Sequence, residues 1–231
     1  MATGTPDVLA LIPGHTERLL ATARSLDDPG APSLCEGWSR GHVLSHVARN
    51  ADGLVALVGA AVDRTGATMY ASRRARDAEI DAGADRAVPE LVTDVEQTSS
   101  ALALELPRLG PEHGHRPLER TPGEIRGTAA DIPVMRLREV VFHHVDLDAG
   151  FGFDDVEPDL VRFFLDEEVQ RVREAGDAPD VTLTTPDGDQ WTIGLGTASV
   201  TGSAASLLGW LARGLTNGVA GDPLPRLPKG R

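Results

Sequence analysis

Residues 131–147 constrain the fold more than any other stretch, because a buried-helix pattern there carries a narrow stripe of ionisable side chains. Apolar residues surround most of the helix; they are Ile132, Val134, Met135, Leu137, Val140, Val141, Phe142, Val145 and Leu147. This distribution is typical of a core helix. Four ionisable residues nevertheless fall within an arc of about 80°, at about 100° per residue. They are Arg136, Glu139, His143 and Asp146.

Such a stripe needs ion pairs, water or a metal ion, because a buried charge without a partner is strongly destabilising. Glu139 and His143 are spaced i, i+4, so a carboxylate oxygen and an imidazole nitrogen lie one turn apart on one face. Both atoms can reach one cation, and a third ligand must come from another element. His46 is our candidate, since a set of two histidines and one glutamate leaves zinc an open position for catalysis.

The predicted helix at residues 40–62 carries His42 as well as His46, and Ser39 is its predicted N-cap. The two histidines are spaced i, i+4, so they could bind a metal by themselves. Considered alone, this helix favours a different interpretation, in which His42 lies in the exposed first turn and His46 is a hydrogen-bonded boundary residue. His113 and His115 lie in a polar loop, where we expect exposed side chains.

The remaining pattern predicts an α+β protein of two domains. Apolar spacing predicts further helices at residues 8–26, 40–62, 89–106, 158–175 and 203–211, with a charged helical turn or two at 73–80. Alternating segments at 181–185 and 190–195 flank a turn sequence and predict a β-hairpin, and 198–201 is a further candidate strand. We therefore expect a mainly helical domain at 1–152 and a smaller α+β domain at 153–231.

Composition limits the partners that this chain can have. Its net charge of −13 disfavours binding to nucleic acid or to an anionic membrane, since both need a basic surface. The first residues lack the basic segment followed by an apolar segment that is typical of a signal peptide, and no apolar run reaches about 18 residues, the length of a membrane-spanning helix. We therefore expect a cytoplasmic protein. The single cysteine, Cys35, excludes an internal disulfide and a Cys-rich zinc site. Any thiol chemistry would then use a thiol from outside the chain.

Two motifs on separate predicted helices carry a resemblance to a known family. The first is residues 34–48, Leu-Cys-Glu-Gly-Trp-Ser-Arg-Gly-His-Val-Leu-Ser-His-Val-Ala, and the second is Arg136-x-Arg138-Glu139-Val140-x-x-His143-x-Val145-Asp146-Leu147. Further matching residues are Met69-Tyr70-Ala71-Ser72, Arg76, Glu79-Ile80, Gly202-Ser203 and Arg213-Gly214. Over nearly its whole length the chain resembles the mycothiol-dependent maleylpyruvate isomerases.

The resemblance implies a fold and a metal site. The fold would be an N-terminal DinB-like four-helix bundle with a smaller C-terminal sterol-carrier-like α/β domain. The bundle would hold a divalent metal, usually zinc, on His46, Glu139 and His143. By the same resemblance, the family's catalytic arginine falls on Arg213.

The resemblance also implies an activity, the conversion of maleylpyruvate to fumarylpyruvate in the gentisate pathway of aromatic catabolism. Mycothiol thiolate would add to the cis double bond, the resulting single bond would rotate, and elimination would return the thiol, with zinc lowering the pKa of the thiol. Because this substrate is anionic, we expect arginines to bind it, first Arg213 and then Arg76. For either arginine, a surface or interdomain salt bridge is an equally good interpretation.

Roles outside the ligand set, and two other functions, stay open at this point. Arg136 and Asp146 are candidates for orienting the ligands, and we interpret Cys35 as a small buried apolar residue. One alternative function is a mycothiol S-transferase of the same superfamily. The other is a non-catalytic zinc-binding module, whose closed site would add His42 or Cys35 as fourth ligand.

Overall fold

The computed structural model describes residues 6–228, which form two compact units. One unit comprises residues 7–150, and the other begins at Phe151. Within these described residues, helices occur together with two β-sheets, which confirms the predicted α+β class. Among residues 6–228, no helix combines the length and apolar character that crossing a bilayer requires.

The first unit is built on a bundle of four long helices, α1 (Val8–Arg24), α2 (Arg40–Asp63), α4 (Val88–Glu105) and α5 (Ile132–Asp146), with α3 (Arg73–Ala84) packed against α2. In the bundle α2 contacts both α4 and α5, and α1 contacts the same two helices. Strands β1 (Pro117–Thr121) and β2 (Glu124–Thr128) form an antiparallel hairpin between α4 and α5. The helices predicted from apolar spacing in this unit are confirmed.

Helix α2 begins where the sequence predicts, and its start is fixed by two local features. The Ser39 side chain accepts a hydrogen bond from the backbone N–H of His42, while Nδ1 of His42 accepts one from the backbone N–H of Ser39. Together these bonds satisfy two N–H groups at the helix N-terminus. Gly41 allows close packing on α3, because a Cβ atom there would lie 2.1 Å from the carbonyl oxygen of Ala84.

The core of the bundle consists of aliphatic side chains from α1, α2, α4 and α5. Its buried members are Leu19, Leu20, Ala23, Leu26, Val43, Leu44, Val47, Ala48, Leu91, Val92, Val95, Val140 and Leu147. Burial of each large aliphatic side chain contributes about 1.5–3 kcal/mol relative to exposure in water. This packing holds α2 and α5 side by side, so their polar side chains are brought together in the interior.

The described residues of the second unit include two α-helices, α6 (Pro158–Arg173) and α7 (Ala204–Arg213), which contact each other, and a four-stranded sheet. The sheet consists of β3 (Val181–Thr184), β4 (Gln190–Ile193), β5 (Ala198–Gly202) and β6 (Val219–Ala220), in the order β4-β3-β5-β6. Strand β3 pairs antiparallel with β4 and parallel with β5. The predicted hairpin and the candidate strand at 198–201 are confirmed, whereas the two-residue β6 was not predicted.

Candidate metal centre

Three side chains that the sequence nominated as ligands meet between α2 and α5. Nε2 of His46, on α2, lies 2.8 Å from Oε2 of Glu139. Nε2 of His143, one turn further along α5, lies 3.1 Å from the same oxygen. One ligand atom from each residue lies within 4.8 Å of the others. The packing of α2 on α5 therefore brings His46 next to Glu139, which is 93 positions away in the sequence. His143 joins them because it is the i+4 neighbour of Glu139.

The side chains of the α5 stripe take three different environments. Glu139 and His143 form the site with His46. Asp146, which is fully buried, places Oδ2 2.8 Å from Nδ1 of His143. Arg136 is also buried, and it donates hydrogen bonds to the carbonyl oxygen of Val47 and to other neutral acceptors. Asp146 is thus placed to orient His143, whereas Arg136 has no direct contact with the ligand candidates in the described part of the chain.

Burial and mutual contact shift the pKa values of all three candidates. Burial lowers the pKa of His46 below its ordinary value and outweighs the opposing effect of Glu139. Burial disfavours the charged form of Glu139, but the two histidines outweigh it and hold the pKa of this carboxyl group well below its usual range. Burial likewise opposes protonation of His143, but hydrogen bonds to Asp146, Cys35 and Glu139 raise its pKa well above the ordinary value.

The donor set fits a divalent cation such as zinc. Two imidazole nitrogens and one carboxylate oxygen are ligands that zinc accepts, and three protein ligands leave a coordination position open. The pKa of Glu139 favours the ionised carboxylate, and that of His46 favours the neutral imidazole, which are the forms that bind metal, whereas the raised pKa of His143 means that a metal would displace a proton from this ring. Oδ2 of Asp146 lies 2.8 Å from the opposite nitrogen of His143, and a carboxylate in this position commonly fixes the orientation of a metal-binding histidine.

Cys35 contacts this site, which corrects our interpretation of it as an apolar residue in the core. Its side chain is partly exposed, and its thiol donates a hydrogen bond of 3.3 Å to Oδ2 of Asp146. Cys35, His143 and Asp146 form a second grouping of possible ligand atoms. That grouping lies on the Nδ1 side of His143, whereas Glu139 faces Nε2.

An aromatic wall, formed by Trp38 and Tyr70, adjoins the ligand candidates. The Trp38 ring centroid lies 5.3 Å from that of His46 and 6.5 Å from that of His143. The Arg76 guanidinium carbon lies 5.7 Å from the Trp38 ring centroid and 5.8 Å from that of Tyr70, within cation–π range. Nη2 of Arg76 is 3.4 Å from Nδ1 of His46. Arg76, which the sequence predicted to bind substrate, therefore lies beside one of the ligand candidates, His46.

Sequence reasoning did not assign Trp38 or Tyr70 to the site. Each lies in a loop shortly before a helix, and aromatic residues make up only 4% of this chain. An isolated aromatic residue beside a polar helix start is a usable signal, since such residues are frequent in binding sites. The sequence does not show, however, that these two loops reach the same point on α5.

Five of the seven histidines lie outside the ligand set, and the sequence made predictions for three of them, His42, His113 and His115. His42 is only partly buried and serves the N-terminal cap of α2, and the possible metal groupings among residues 6–228 do not include it. His113 is also partly buried, and its Nδ1 accepts a hydrogen bond from the backbone N–H of Gly110. Our prediction of an exposed His113 was therefore wrong, because the ring closes a tight turn. The predicted exposure of His115 is confirmed.

Arg213, the predicted catalytic arginine, is the last residue of α7 in the second unit. Its side chain is partly buried, and Nη1 donates a 2.9 Å hydrogen bond to the carbonyl oxygen of Ala212. Gly214 follows with a positive φ of 69° and ends the helix. The catalytic role of Arg213 stays a prediction.

Comparisons with known proteins agree on one family. A sequence profile described as the mycothiol maleylpyruvate isomerase N-terminal domain matches residues 13–148. A crystal structure of the mycothiol-dependent maleylpyruvate isomerase is similar, with 27% sequence identity, a TM-score of 0.89 and coverage of 99% of each chain. A crystal structure of a histidine-to-alanine mutant of a mycothiol-dependent maleylpyruvate isomerase is similar too, with 26% identity, the same TM-score and the same coverage. No curated protein sequence matches the chain.

Proposed function

Because this chain belongs to the family of the mycothiol maleylpyruvate isomerase N-terminal domain, we propose that it catalyses the mycothiol-dependent isomerisation of maleylpyruvate to fumarylpyruvate. The observation that carries the proposal is the convergence of His46, Glu139 and His143 within a fold that matches such an isomerase along nearly its whole length. A divalent metal and a low-molecular-weight thiol would be the cofactors, and a small organic anion the substrate.

Turning a cis double bond into a trans one requires that it become a single bond for a time. A thiolate that adds to one alkene carbon forms a C–S bond and pushes the electron pair onto the conjugated ketone. Rotation about the new single bond and return of the electron pair expel the thiolate and restore the alkene. No atom or electron is gained or lost, so the thiol acts as a catalyst and no oxidant or reductant is needed.

The three ligand candidates would hold a divalent metal whose contribution is to lower the pKa of the thiol, so that the thiolate forms at neutral pH. Asp146 would keep His143 oriented by accepting the hydrogen from its Nδ1. The apolar ring of Trp38 lies beside His46 and His143, where it would restrict access of water to the site. Cys35 is bound to Asp146 through its thiol, so it does not compete with the external thiol in this arrangement.

Arg76 is the substrate-binding candidate that the structure supports by position. Its guanidinium group is near Trp38 and Tyr70, and its present carboxylate partner, Asp77, is exposed. An exposed ion pair is weak in water, so a substrate carboxylate can replace Asp77 at small cost. We assign Arg213 a catalytic and substrate-binding role on the family resemblance alone.

An activity assay tests the substrate and thiol assignments together. We expect the absorbance of maleylpyruvate to convert to that of fumarylpyruvate only when mycothiol is added. Formation of a stable thioether between mycothiol and the substrate would instead identify an S-transferase. A protein that binds zinc but converts nothing under either condition would be a zinc-binding module, and the isomerase proposal would be wrong.

A pair of alanine variants tests the ligand assignment separately. His46→Ala should lose its metal and its activity, because one of three ligands is removed. His42→Ala lies one turn earlier on the same helix and should retain full metal content. Metal analysis of both purified proteins gives the comparison. Loss of metal in His42→Ala, with retention in His46→Ala, would show that the wrong histidine had been assigned.

A further inference from the structure

A cavity in the first unit lies between α1, α4 and α5, and its described lining residues include none of the three ligand candidates. Its volume is about 400 Å³. This size is typical of sites that bind small molecules. Apolar walls come from Ile12, Leu20 and Leu102, among other residues, and Thr16, Ser99 and Ser100 add hydroxyl groups. The cavity therefore offers an apolar interior with a few polar groups.

A buried cation, Arg136, forms part of the lining. Its side chain is only 1% exposed. Nη1 donates to the carbonyl oxygen of Val47 at 2.9 Å and to Oδ1 of Asn50 at 3.0 Å, and Nη2 donates to Oγ of Ser99 at 2.8 Å. All three acceptors are neutral, and a guanidinium group has more N–H donors than these bonds use. Within residues 6–228, no carboxylate forms an ion pair with Arg136.

Arg24, the other cation of the lining, is already neutralised. Its Nη1 lies 2.8 Å from Glu17 and its Nη2 lies 2.5 Å from Glu96. Among the described residues, Arg136 feels the charges of Glu139 and Asp52 without an ion pair to either, and neither residue lines the cavity, so Arg136 is the cation with which an entering anion can pair. Burial lowers the pKa of Arg136 to about 10, which leaves the group charged at neutral pH but poorly solvated. A bound carboxylate would relieve that loss of solvation.

We propose that this cavity binds a small monocarboxylate with an apolar tail. The carboxylate would accept hydrogen bonds from Arg136 and Ser99, and the tail would pack on the aliphatic walls from Ile12, Leu20 and Leu102. A guanidinium fork is suited to a planar carboxylate. A single charge fits better than two, because Glu17 and Glu96 stand among the same lining residues and would repel a second negative charge.

Binding of hexanoate to the protein as purified tests this assignment. We expect saturable amide chemical-shift changes in two-dimensional NMR spectra, centred on Ser99, Ser100 and Leu102. Hexan-1-ol has the same tail without the charge, so it should bind at least about tenfold more weakly. Equal affinity of the two ligands would overturn the role of Arg136. Shifts confined to Trp38 and His46 would also overturn the proposal, because the carboxylate would then be bound at the metal centre.

Two phenylalanine variants on α4 distinguish the effect of filling the cavity from the effect of adding a large side chain to this helix. Ala103 lines the cavity, and Ala103→Phe should weaken hexanoate binding at least about tenfold by filling it. Leu104 is 78% exposed and is not among the lining residues, so Leu104→Phe should bind hexanoate as the unchanged protein does. Both variants leave Arg136 intact, so their outcome does not depend on whether a protein without that arginine folds. Unchanged binding in Ala103→Phe would overturn the proposal, and it would leave the isomerase assignment untouched.

Discussion

The Asp146→Asn variant is the sharpest test of how this site holds a metal. Asp146 is fully buried and its Oδ2 lies 2.8 Å from Nδ1 of His143. A carboxylate at this distance favours the tautomer with the hydrogen on Nδ1, which leaves the lone pair of Nε2 on the side that faces Glu139. Asparagine has nearly the same shape but no charge, and its NH₂ group can also turn towards the ring. The substitution therefore weakens the orientation of His143 and leaves all three proposed ligands in place.

The expected loss follows from the usual effect of such orienting groups. Removing the acceptor behind a metal-binding histidine typically costs about 10–100-fold in affinity, which corresponds to about 1.4–2.7 kcal/mol. The burial of Asp146 favours the upper half of that range, because water cannot replace the lost charge. Zinc affinity is measured by competition with a chromophoric chelator, and thermal unfolding of the metal-free protein is measured alongside.

Asp148→Asn is the matched control for this experiment. It removes the same charge two residues later, where the side chain is exposed and φ is 48°, a conformation that asparagine tolerates well. We expect its zinc affinity to remain within about twofold of the starting value. If Asp146→Asn also stays within that limit, Asp146 does not act through His143 and the orientation argument is refuted.

Three further predictions concern the surroundings of the site. Arg76→Met should raise the KM for maleylpyruvate about tenfold or more with unchanged metal content, and an unchanged KM would remove Arg76 from the substrate site. Tyr70 is the only tyrosine, and burial raises its pKa to about 12. In chelator-treated protein that remains folded, the absorbance of tyrosinate should therefore increase only well above pH 10. Since the folded pKa is the higher one, this group should contribute stability below pH 10 that is lost between pH 10 and 12, about 2–3 kcal/mol in all. A titration midpoint near pH 10 for Tyr70 in the folded protein would contradict the burial of this side chain. Gly41→Ala should lower the melting temperature, because the new Cβ would meet the Ala84 carbonyl oxygen at 2.1 Å, whereas Gly14→Ala, with open space around it, should not lower it.

The helices were predictable because their signal is local. Apolar spacing alone identified α1, α2, α4, α5 and α6, and the alternation around the turn at 186–189 identified β3 and β4. Strand β6 has only two residues and depends on pairing with β5, so it leaves no pattern of its own. The His113 prediction failed for a related reason, since its exposure is set by a tight turn that polarity does not reveal.

Two of the three ligand candidates were predictable from local sequence as well. Glu139 and His143 share a face because of helical geometry, which follows directly from their spacing. His46 belongs to another helix; the need for a third ligand nominated it, and the family resemblance pointed to the same residue, but its own helix considered alone favoured a different interpretation. Trp38 and Tyr70 were missed because nothing in their own neighbourhoods indicates that Trp38 lies beside His143 or that both rings adjoin Arg76.

The stripe on α5 shows most clearly where the information in the sequence ends. The sequence determined that Arg136, Glu139, His143 and Asp146 share one side of a buried helix and need partners, because helical periodicity is a property of the local chain. The tertiary structure decided which partners they find. Helices packed around α5 supply Asn50 and Ser99 to Arg136, His46 to Glu139, and Cys35 to Asp146 from the loop before α2. Those contacts join residues far apart in the chain, and they depend on how the apolar faces of the bundle pack.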